Sequence, residues 1–402
     1  MILCFLFLFA QWRFLFLSCI PKDIGRCSCT FDFCLSCVAF GHNCRSMGTV
    51  ARQKMLTNIR NTIFGFKNLI GRCFNDPVVQ REMEWLPYTI IELPGNVIGI
   101  QVEHAGETRV FTPIQVMAAL FTKLKDITEM YLKAKVHDCV ISVPCFWTDA
   151  QRRSMLDAAK VADLNCLKLI NETTAVALNY GLYKSDLPKE DEDPRKVLFF
   201  DMGQTSSQAY ICAFNKGQLK MLGVAWDMNL GGKDFDSVLC NHFADQFKAQ
   251  HKIDIRNNRK SVIKLQEACE KLKKQMSADP NDIPISVESL AQDYDFYSKM
   301  KRQQFEQLCE PLFGKVQTLL ERLIKETVGG STRLPMVKAI VSRMFGREPN
   351  TTLNQDEAVS RGCALECAIL SPTFRVREFT TTDVQPYAVT LTWSGDMEDE
   401  KK

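Results

Sequence analysis

Apolar positions recur with two different periods along this chain, and the switches between them mark out its elements. In the middle, Asp138 to Val143 is a short apolar run that Pro144 stops, and Thr148 with Gln151 forms a capping box that opens a helix through Val161. The run Lys168 to Ile170 predicts the next strand. It delivers Asn171 and Glu172 to the start of a second helix, Thr173 to Tyr180, which Gly181 is placed to end. Upstream, Val50 to Ile63 has helical spacing, Thr89 to Val102 and Arg109 to Phe111 alternate like strands of a small hairpin sheet, and Pro113 opens an amphipathic helix to about Ala134. Downstream, the polar break from Lys184 to Pro194 reads as a surface loop between lobes. A hairpin follows at Val197 to Phe214, then a turn at Asn215 to Gly217 and a strand at Leu219 to Ala225. A glycine step, Leu230 to Gly232, leads into a helix over Phe235 to Phe247. Two further helices, Lys260 to Met276 and Arg302 to Thr327, flank a pair of strands, Ile283 to Glu288 and Tyr294 to Tyr297. The middle of the chain thus has a βαβα rhythm.

The hairpin, VLFFDMGQTSSQAYICAF, carries the most chemistry. Asp201 emerges at the mouth of a buried strand, where a carboxylate suits a metal ion or its water, and Gly203 lets backbone N–H groups come close to a phosphate. An ordinary hairpin with an Asp turn has the same residues. Glu172 is equally open, because a carboxylate beside a helix N-terminus can hold a metal-bound or attacking water or can simply cap the helix. Glu270, Lys273, Lys274 and Ser277 recur at spacings of three and four, so they point one way, as on a solvated salt-bridge face.

Composition narrows the class. A 402-residue chain with 46% hydrophobic and 24% charged residues is globular and long enough for two or three packed units. Its net charge of +3, without a long basic run, gives no electrostatic reason to expect nucleic acid. Most of its 17 cysteines sit singly in apolar segments, and Cys139, Cys166, Cys212, Cys240 and Cys363 read as reduced core residues of a protein in a reducing compartment. The first 44 residues differ from the rest. Met1 to Ile20 is nearly all apolar apart from Gln11 and Arg13. A signal or anchor fits that stretch, and so does a non-native or alternative start, because the basic leader and small-residue cleavage site are missing. Cys27, Cys29, Cys34, Cys37 and Cys44 then crowd together with one CxxC, short of the paired couples that zinc requires.

In order along the chain, NETTAVALNYGLY, DMGQTSSQ, LGGKDFD, ACEKLKKQMS, VGGSTRLP and NQDEAV resemble the nucleotide-binding domain of the 70-kDa heat-shock chaperone superfamily. DCVISVPCFWTDAQRRSMLDAA, RGCALECAILSP and FRVREFTTTDVQPYAVTLTW resemble its 110-kDa branch more closely. The match covers about residues 38 to 402. It implies an α/β, actin-like ATPase fold, two lobes of mixed sheets flanked by helices that close on ATP or ADP and magnesium. The organisation expected is an atypical apolar and Cys-rich segment at 1–37, lobe I at 38–183, lobe II at 184–360, a return helix to lobe I at 361–375, and at 376–402 a linker with the first strand of a peptide-binding domain.

Residue by residue, the resemblance implies Lys67 close to the γ-phosphate and attacking water, Glu172 and Asp201 as carboxylates that hold magnesium through water, and Gly203 on the phosphate hairpin. Ser206 stands for a threonine hydroxyl near the phosphate, while Gln204 and Thr205 replace glycines and Gln208 replaces an acid. Such departures mark the 110-kDa branch, in which ATP turnover matters less. Glu270, Lys273, Lys274 and Ser277 match the helix that clasps adenosine, Gly330, Ser331 and Arg333 the opposite side of base and ribose, and Asp356 the last purine-site carboxylate. Pro144 and Arg152 match the pair that links nucleotide state to the neighbouring domain.

Two departures alter the expected fold. Nothing in Met1 to Cys37 reproduces the family's first strand and DxG phosphate loop, and Thr327 passes directly to Val328 where the family has a loop and a central strand. A first strand and one later strand are therefore expected to be missing, with ATPase activity weak at most. The function implied is that of an ATP-binding chaperone or co-chaperone in protein folding and the stress response, exchanging nucleotide on a 70-kDa heat-shock chaperone partner. Its expected compartment is the cytoplasm, and also the nucleus, without nucleic acid or stable membrane association; the endoplasmic reticulum is the alternative if the apolar leader is a signal. The other readings are an inactive truncated isoform and a sugar- or acetate-kinase-type phosphotransferase of the same fold.

Overall fold

A computed structural model describes residues 6–7, 13–14, 34–42, 44–182, 184–326, 339–340, 342–344, 346, 353, 357–371 and 379–387. In chain order the first half comprises β1 (Leu6–Phe7), β2 (Arg13–Phe14), β3 (Cys34–Leu35), β4 (Cys37–Phe40), β5 (Arg45–Met47), α1 (Thr49–Gln53), β6 (Thr62–Phe64), α2 (Pro77–Trp85), β7 (Thr89–Leu93), β8 (Val97–His104), β9 (Glu107–Phe111), α3 (Pro113–Leu132), β10 (Asp138–Val143), α4 (Asp149–Val161), β11 (Asn165–Asn171) and α5 (Glu172–Leu182). The second comprises β12 (Arg195–Met202), β13 (Ser207–Asn215), β14 (Gln218–Asp227), α6 (Gly232–His251), α7 (Arg259–Ala278), β15 (Ile283–Ala291), β16 (Tyr294–Met300), α8 (Arg302–Leu308), α9 (Glu310–Glu326), α10 (Ala358–Leu370) and β17 (Thr380–Thr382).

Local chemistry sets these boundaries. The Thr112 hydroxyl accepts from the Gln115 backbone N–H at 3.3 Å while Gln115 Oε1 accepts from the Thr112 N–H at 2.9 Å, so α3 begins with two of its free donors satisfied. It buries Val116, Leu120, Phe121 and Leu124 in the first-half core, packing against α4 and β8. Asp76 caps α2 by accepting from Val78 N at 2.8 Å, with Pro77 at the first helical position.

Two hydrophobic cores result. The first gathers Val38, Ile63, Ile100, Phe121 and Ile141; the second gathers Leu198, Ile211, Phe243, Phe247, Leu272 and Phe296. In the first half β10 and β11 pair parallel, β7, β8 and β9 form an antiparallel meander, and β4 pairs antiparallel with β5 and β6. In the second half β12, β13 and β14 are antiparallel, and β15 and β16 make a separate hairpin. Helices α5 and α10 pack together beside β10 and β13, through Ala175 and Cys363 on one side and Leu178 and Leu365 on the other.

Several expectations are corrected. The run Val50 to Ile63 is no single helix: α1 ends at Gln53, and Ile63 sits in β6 opposite Val38. Asn58 redirects the chain, its side-chain amide donating to Phe40 O at 2.7 Å and its carbonyl accepting from Thr62 Oγ1 at 2.8 Å. Gly181 lies inside α5 instead of ending it, since a β-carbon there would lie 2.8 Å from the Phe214 ring. The helix expected over Arg302 to Thr327 is broken between α8 and α9 at Cys309. From the apolar leader only a two-residue strand, β1, joins the first-half sheet, Leu6 pairing parallel with Val140 and Phe7 with Ile141. Residue 327 and the segment 328–338 that follows it lie outside the described residues, as do 372–375 of the expected return helix and 376–378 of the expected linker.

Two glycines in helices give opposite expectations. A β-carbon on Gly362 of α10 would sit 1.8 Å from the Ala175 carbonyl oxygen, whereas one on Gly314 of α9 would meet nothing within 4 Å. Denaturant unfolding is expected to show Gly362→Ala less stable by about 3 kcal/mol and Gly314→Ala more stable by about 0.5–1 kcal/mol. Equal effects would contradict the tight α5–α10 packing.

Candidate functional site

The strand-to-helix junction between β11 and α5 places Glu172 as the first residue of α5, where its side chain is buried. Its Oε1 accepts from Lys67 Nζ at 3.0 Å and its Oε2 from Gln208 Nε2 at 3.0 Å. Lys67 arrives from a short 3₁₀ turn, Phe66–Leu69, entered through Gly65 at φ 69°, a conformation that suits glycine. Burial lowers the Lys67 pKa, against the raising effect of Glu172 and, more weakly, Asp201. Asp201, near the end of β12, faces Gln208 across the hairpin. Loss of hydration and the neighbouring Glu172 charge push its carboxyl up to about 6, with Lys67 opposing. Gln208, noted in the sequence only as a replacement for an acid, is a clasp: Glu172 takes its N–H, and its Oε1 accepts from Cys145 N at 3.2 Å.

The hairpin tip extends the site. Gly203 N donates to Ser206 O at 2.9 Å and closes the turn. Beyond it the backbone is stitched to the glycine step, Gly232 N donating to Gly203 O at 2.9 Å and Lys233 N to Gln204 O at 2.8 Å. A β-carbon on Gly231 would lie 2.5 Å from the Gln204 carbonyl oxygen, so only glycine allows this approach. Lys273 of α7 reaches the same step, bonding Gly232 O at 2.9 Å and Asp236 Oδ1 at 2.7 Å. Burial raises the Asp236 carboxyl, against the pull of Lys273.

Glu270 lies one turn earlier on α7, where it binds Lys274 Nζ at 2.6 Å and Arg52 Nη2 at 3.4 Å. Burial alone would raise its pKa, but the Lys274 hydrogen bond and the charges of Lys274, Arg52 and Lys273 hold it below the usual value. Ser277 turns back to Lys273 O at 3.0 Å. Arg52 also meets Glu267 at 3.5 Å, and Lys233 pairs with Glu82. These ion pairs roof a cavity of about 430 Å³ lined by Phe64, Gln204, Thr205, Lys233 and Glu270 among others. Arg52, Glu82 and Asp236 went unnoticed in the sequence, because nothing in a single chain signals which distant residue each will pair with, Glu270, Lys233 and Lys273 respectively. The structure thus gathers Lys67, Glu172 and Asp201 beside the last strand pairs before the hairpin turn, with Gly203 and Ser206 in the turn itself and Glu270, Lys273, Lys274 and Ser277 on the helix beside it. Gly330, Ser331, Arg333 and Asp356 lie outside the described residues.

Arg152 holds Asn171, which in turn binds a C-terminal segment. Arg152 Nη2 donates to Cys145 O at 3.1 Å and to Asn171 Oδ1 at 2.7 Å. Strand β17 adds parallel to β14 as a fourth strand, after which Asp383 Oδ2 accepts from Asn171 Nδ2 at 3.0 Å and Thr174 Oγ1 at 2.5 Å. The Tyr387 hydroxyl donates to Phe146 O. The strand expected from Val384 is absent over residues 384–387, and 388–393 lie outside the described residues.

The Asp201 shift has a definite sign in magnesium-free buffer. The folded carboxyl titrates at about 6 against an ordinary value of 3.8, so between these the folded chain keeps a proton that the unfolded chain has released. The group's contribution to stability therefore falls as pH rises through that window and is constant above it. The stability difference between wild type and Asp201→Asn, followed by urea unfolding, is expected to move in the variant's favour across that interval. A difference that stays flat would show that the carboxyl is not held up.

Among the described residues no helix is long and apolar enough to cross a membrane. The family model described as Hsp70 protein matches residues 32–402. Over 376 residues the chain is 49% identical to heat shock 70 kDa protein 4L of Homo sapiens and 48% identical to heat shock 70 kDa protein 4 of Canis lupus familiaris, covering 90% of this chain and 45% of each relative. It is 45% identical to heat shock protein 110 of Caenorhabditis elegans over 414 residues, 95% of this chain and 53% of the relative. The chain spans about half the length of the curated relatives it matches. With its mixed sheets flanked by helices and a family match along nearly all of its length, the chain belongs to the Hsp70 family, as an actin-like nucleotide-binding domain of the 110-kDa branch.

Proposed function

We propose that this chain binds ATP or ADP with magnesium and serves as a co-chaperone that exchanges nucleotide on a 70-kDa heat-shock chaperone. One observation carries the reading: the turn end of the β12–β13 hairpin brings the facing pair Asp201 and Gln208, with Glu172 and Lys67 beside them, next to the Gly231–Gly232 step and Lys273. Phosphates would lie along the hairpin, and adenosine toward Glu270, Lys273, Lys274 and Ser277. In this reading residues 38–183 and 184–360 are the two lobes, 361–375 returns to the first, and Gly330, Ser331, Arg333 and Asp356 complete the purine side.

Magnesium fits the donor set. Asp201 and Glu172 offer only carboxylate oxygens, as a hard cation requires. Both Glu172 oxygens already accept hydrogen bonds, so it would engage the ion through water, while Asp201 has no hydrogen-bond partner among the described residues. When bound, the ion supplies positive charge against the phosphate oxygens. Lys67 would hold a proton and a positive charge toward the terminal phosphate. Gln208 presents an amide to Glu172 where an acid would be able to take a proton, which supports weak ATP turnover at most. The cytoplasm is the compartment in which such a partner and many unpaired buried cysteines are both expected.

Equilibrium binding of a fluorescent ATP analogue is expected to weaken about tenfold in Glu270→Ala, equivalent to about 1.4 kcal/mol, with hydrolysis near background in both proteins. Mixed at micromolar concentration with a 70-kDa chaperone loaded with a fluorescent ADP analogue, the wild type is expected to accelerate its release. Release no faster than with an unrelated protein would refute the exchange reading, and phosphate transfer to a small sugar or acetate would replace it with the kinase one.

A further inference from the structure

Strands β10 and β11 run parallel, and their first registered pairs set Asp138 opposite Asn165 and Cys139 opposite Cys166. Opposed residues on neighbouring strands lie about 5 Å apart, inside the span of about 4.4–6.8 Å between α-carbons that a disulfide bridges. The ladder is irregular here. After Cys139 the register shifts so that Val140 faces Lys168, leaving Leu167 unmatched. A bulge of this kind gives the two side chains backbone slack that a regular parallel pair lacks.

The two thiols are unlike. Cys139 is fully buried, whereas Cys166 is partly exposed, next to the exposed side chain of Leu167, and its thiol donates to the Lys168 carbonyl at 3.4 Å. The Cys139 thiol donates to Cys166, and that bond is the main reason why the Cys166 pKa falls below the ordinary thiol value, while the same bond followed by burial raises that of Cys139. An accessible thiol of lowered pKa beside a protonated partner is the arrangement of an attacking and a resolving cysteine. No other described pair combines these features: Cys145, Cys212, Cys269 and Cys363 are buried with raised pKa values, and the exposed Cys44 and Cys73 face no cysteine across a ladder.

We propose that Cys166 and Cys139 are a redox modification site that takes a hydroperoxide as oxidant and closes a reversible disulfide between β10 and β11. The Cys166 thiolate attacks one peroxide oxygen, the O–O bond breaks, and the departing oxygen takes a proton to leave as water or an alcohol. Cys166 is then a sulfenic acid, oxidised by two electrons. The Cys139 sulfur attacks the Cys166 sulfur, the S–S bond forms, and the hydroxyl leaves with the Cys139 proton as water. A small thiol reductant reverses the change by exchange. The bond pins the bulge on the strand that delivers Glu172, without using any residue of the nucleotide cleft.

The test treats the reduced full-length chain with hydrogen peroxide, blocks remaining thiols by alkylation, and maps tryptic peptides without reduction. Peptide 136–152, which holds Cys139 and Cys145, is expected joined to peptide 161–168, two hydrogens lighter than their sum. Fragmentation is expected to place the bond on Cys139, and dithiothreitol to remove it. Cys166→Ser is expected to abolish the cross-link and leave Cys139 reduced, whereas Cys139→Ser is expected to leave Cys166 as a sulfenic acid that dimedone traps. The proposal is overturned if wild-type Cys166 oxidises no faster than Cys44 and Cys73, if Cys139 joins any other cysteine, or if Cys166 goes to sulfinic acid without a disulfide. These wild-type readouts hold whether or not either serine variant folds.

Discussion

A carboxylate buried where a strand becomes a helix has to be satisfied by something, and the groups that satisfy Glu172 fix how this fold comes together. Lys67 approaches from the first segment and Gln208 from the hairpin of the second half, while the other end of Gln208 is held by the Cys145 backbone. Three stretches far apart in sequence therefore meet at Glu172, and a fourth is tied to them through Gln208. Removing either partner would leave charge or amide groups buried without a match, which is more damaging than never having had the pair. Asp201 adds a second carboxylate to the same neighbourhood, and its pKa is raised first by burial and then by the nearby Glu172 charge. A site built this way is poised for positive charge.

The two halves of the molecule are joined differently at the two ends of the cleft. Beneath the site, Trp226 and Val224 of β14 pack into the first core, and the Trp226 ring stacks on Phe146 with centroids 6.5 Å apart. At the mouth, the links are the ion pairs of Arg52 and Lys233 and a hydrogen bond from Arg259 to Pro87 O at 3.2 Å. Apolar burial does not weaken with ionic strength, whereas exposed ion pairs contribute little each and are screened by salt. The mouth is therefore the attachment that responds to ionic strength.

Much of this was legible in the sequence, for local reasons. The capping box at Thr148, the proline that opens α3 and the apolar runs of β12 and β13 are written in neighbouring residues, so those elements fall where their spacing puts them. Lys67, Glu172 and Asp201 could be assigned together only through the resemblance, since each alone reads equally as a cap, a turn or a surface charge. What stayed hidden depends on residues distant in the chain. Val50 to Ile63 has a helical period, yet its last apolar residue is claimed by strand pairing with Val38. Gly181 looks like a helix end until the Phe214 ring is seen beside it. Gln208 looks like the loss of an acid until its two partners are known.

The C-terminal segment shows how closely the site and its surroundings are coupled. Asn171 and Glu172 are consecutive, the last residue of β11 and the first of α5, so neither can shift without carrying the other. Glu172 faces Lys67 and Gln208, while Asn171 holds Arg152 on one side and Asp383 on the other. Asp383 is also bonded to Thr174, one short step into the same helix, and it follows directly on the strand that extends the second-half sheet. A change in what Glu172 binds would have to move through one peptide unit to reach Asp383. With φ and ψ as the only soft dihedrals between them, a displacement of the carboxylate by a bound ion would be felt at Arg152 and β17 as a change in hydrogen-bond geometry. The C-terminal segment and the carboxylate cluster are in this way anchored at two adjacent backbone positions.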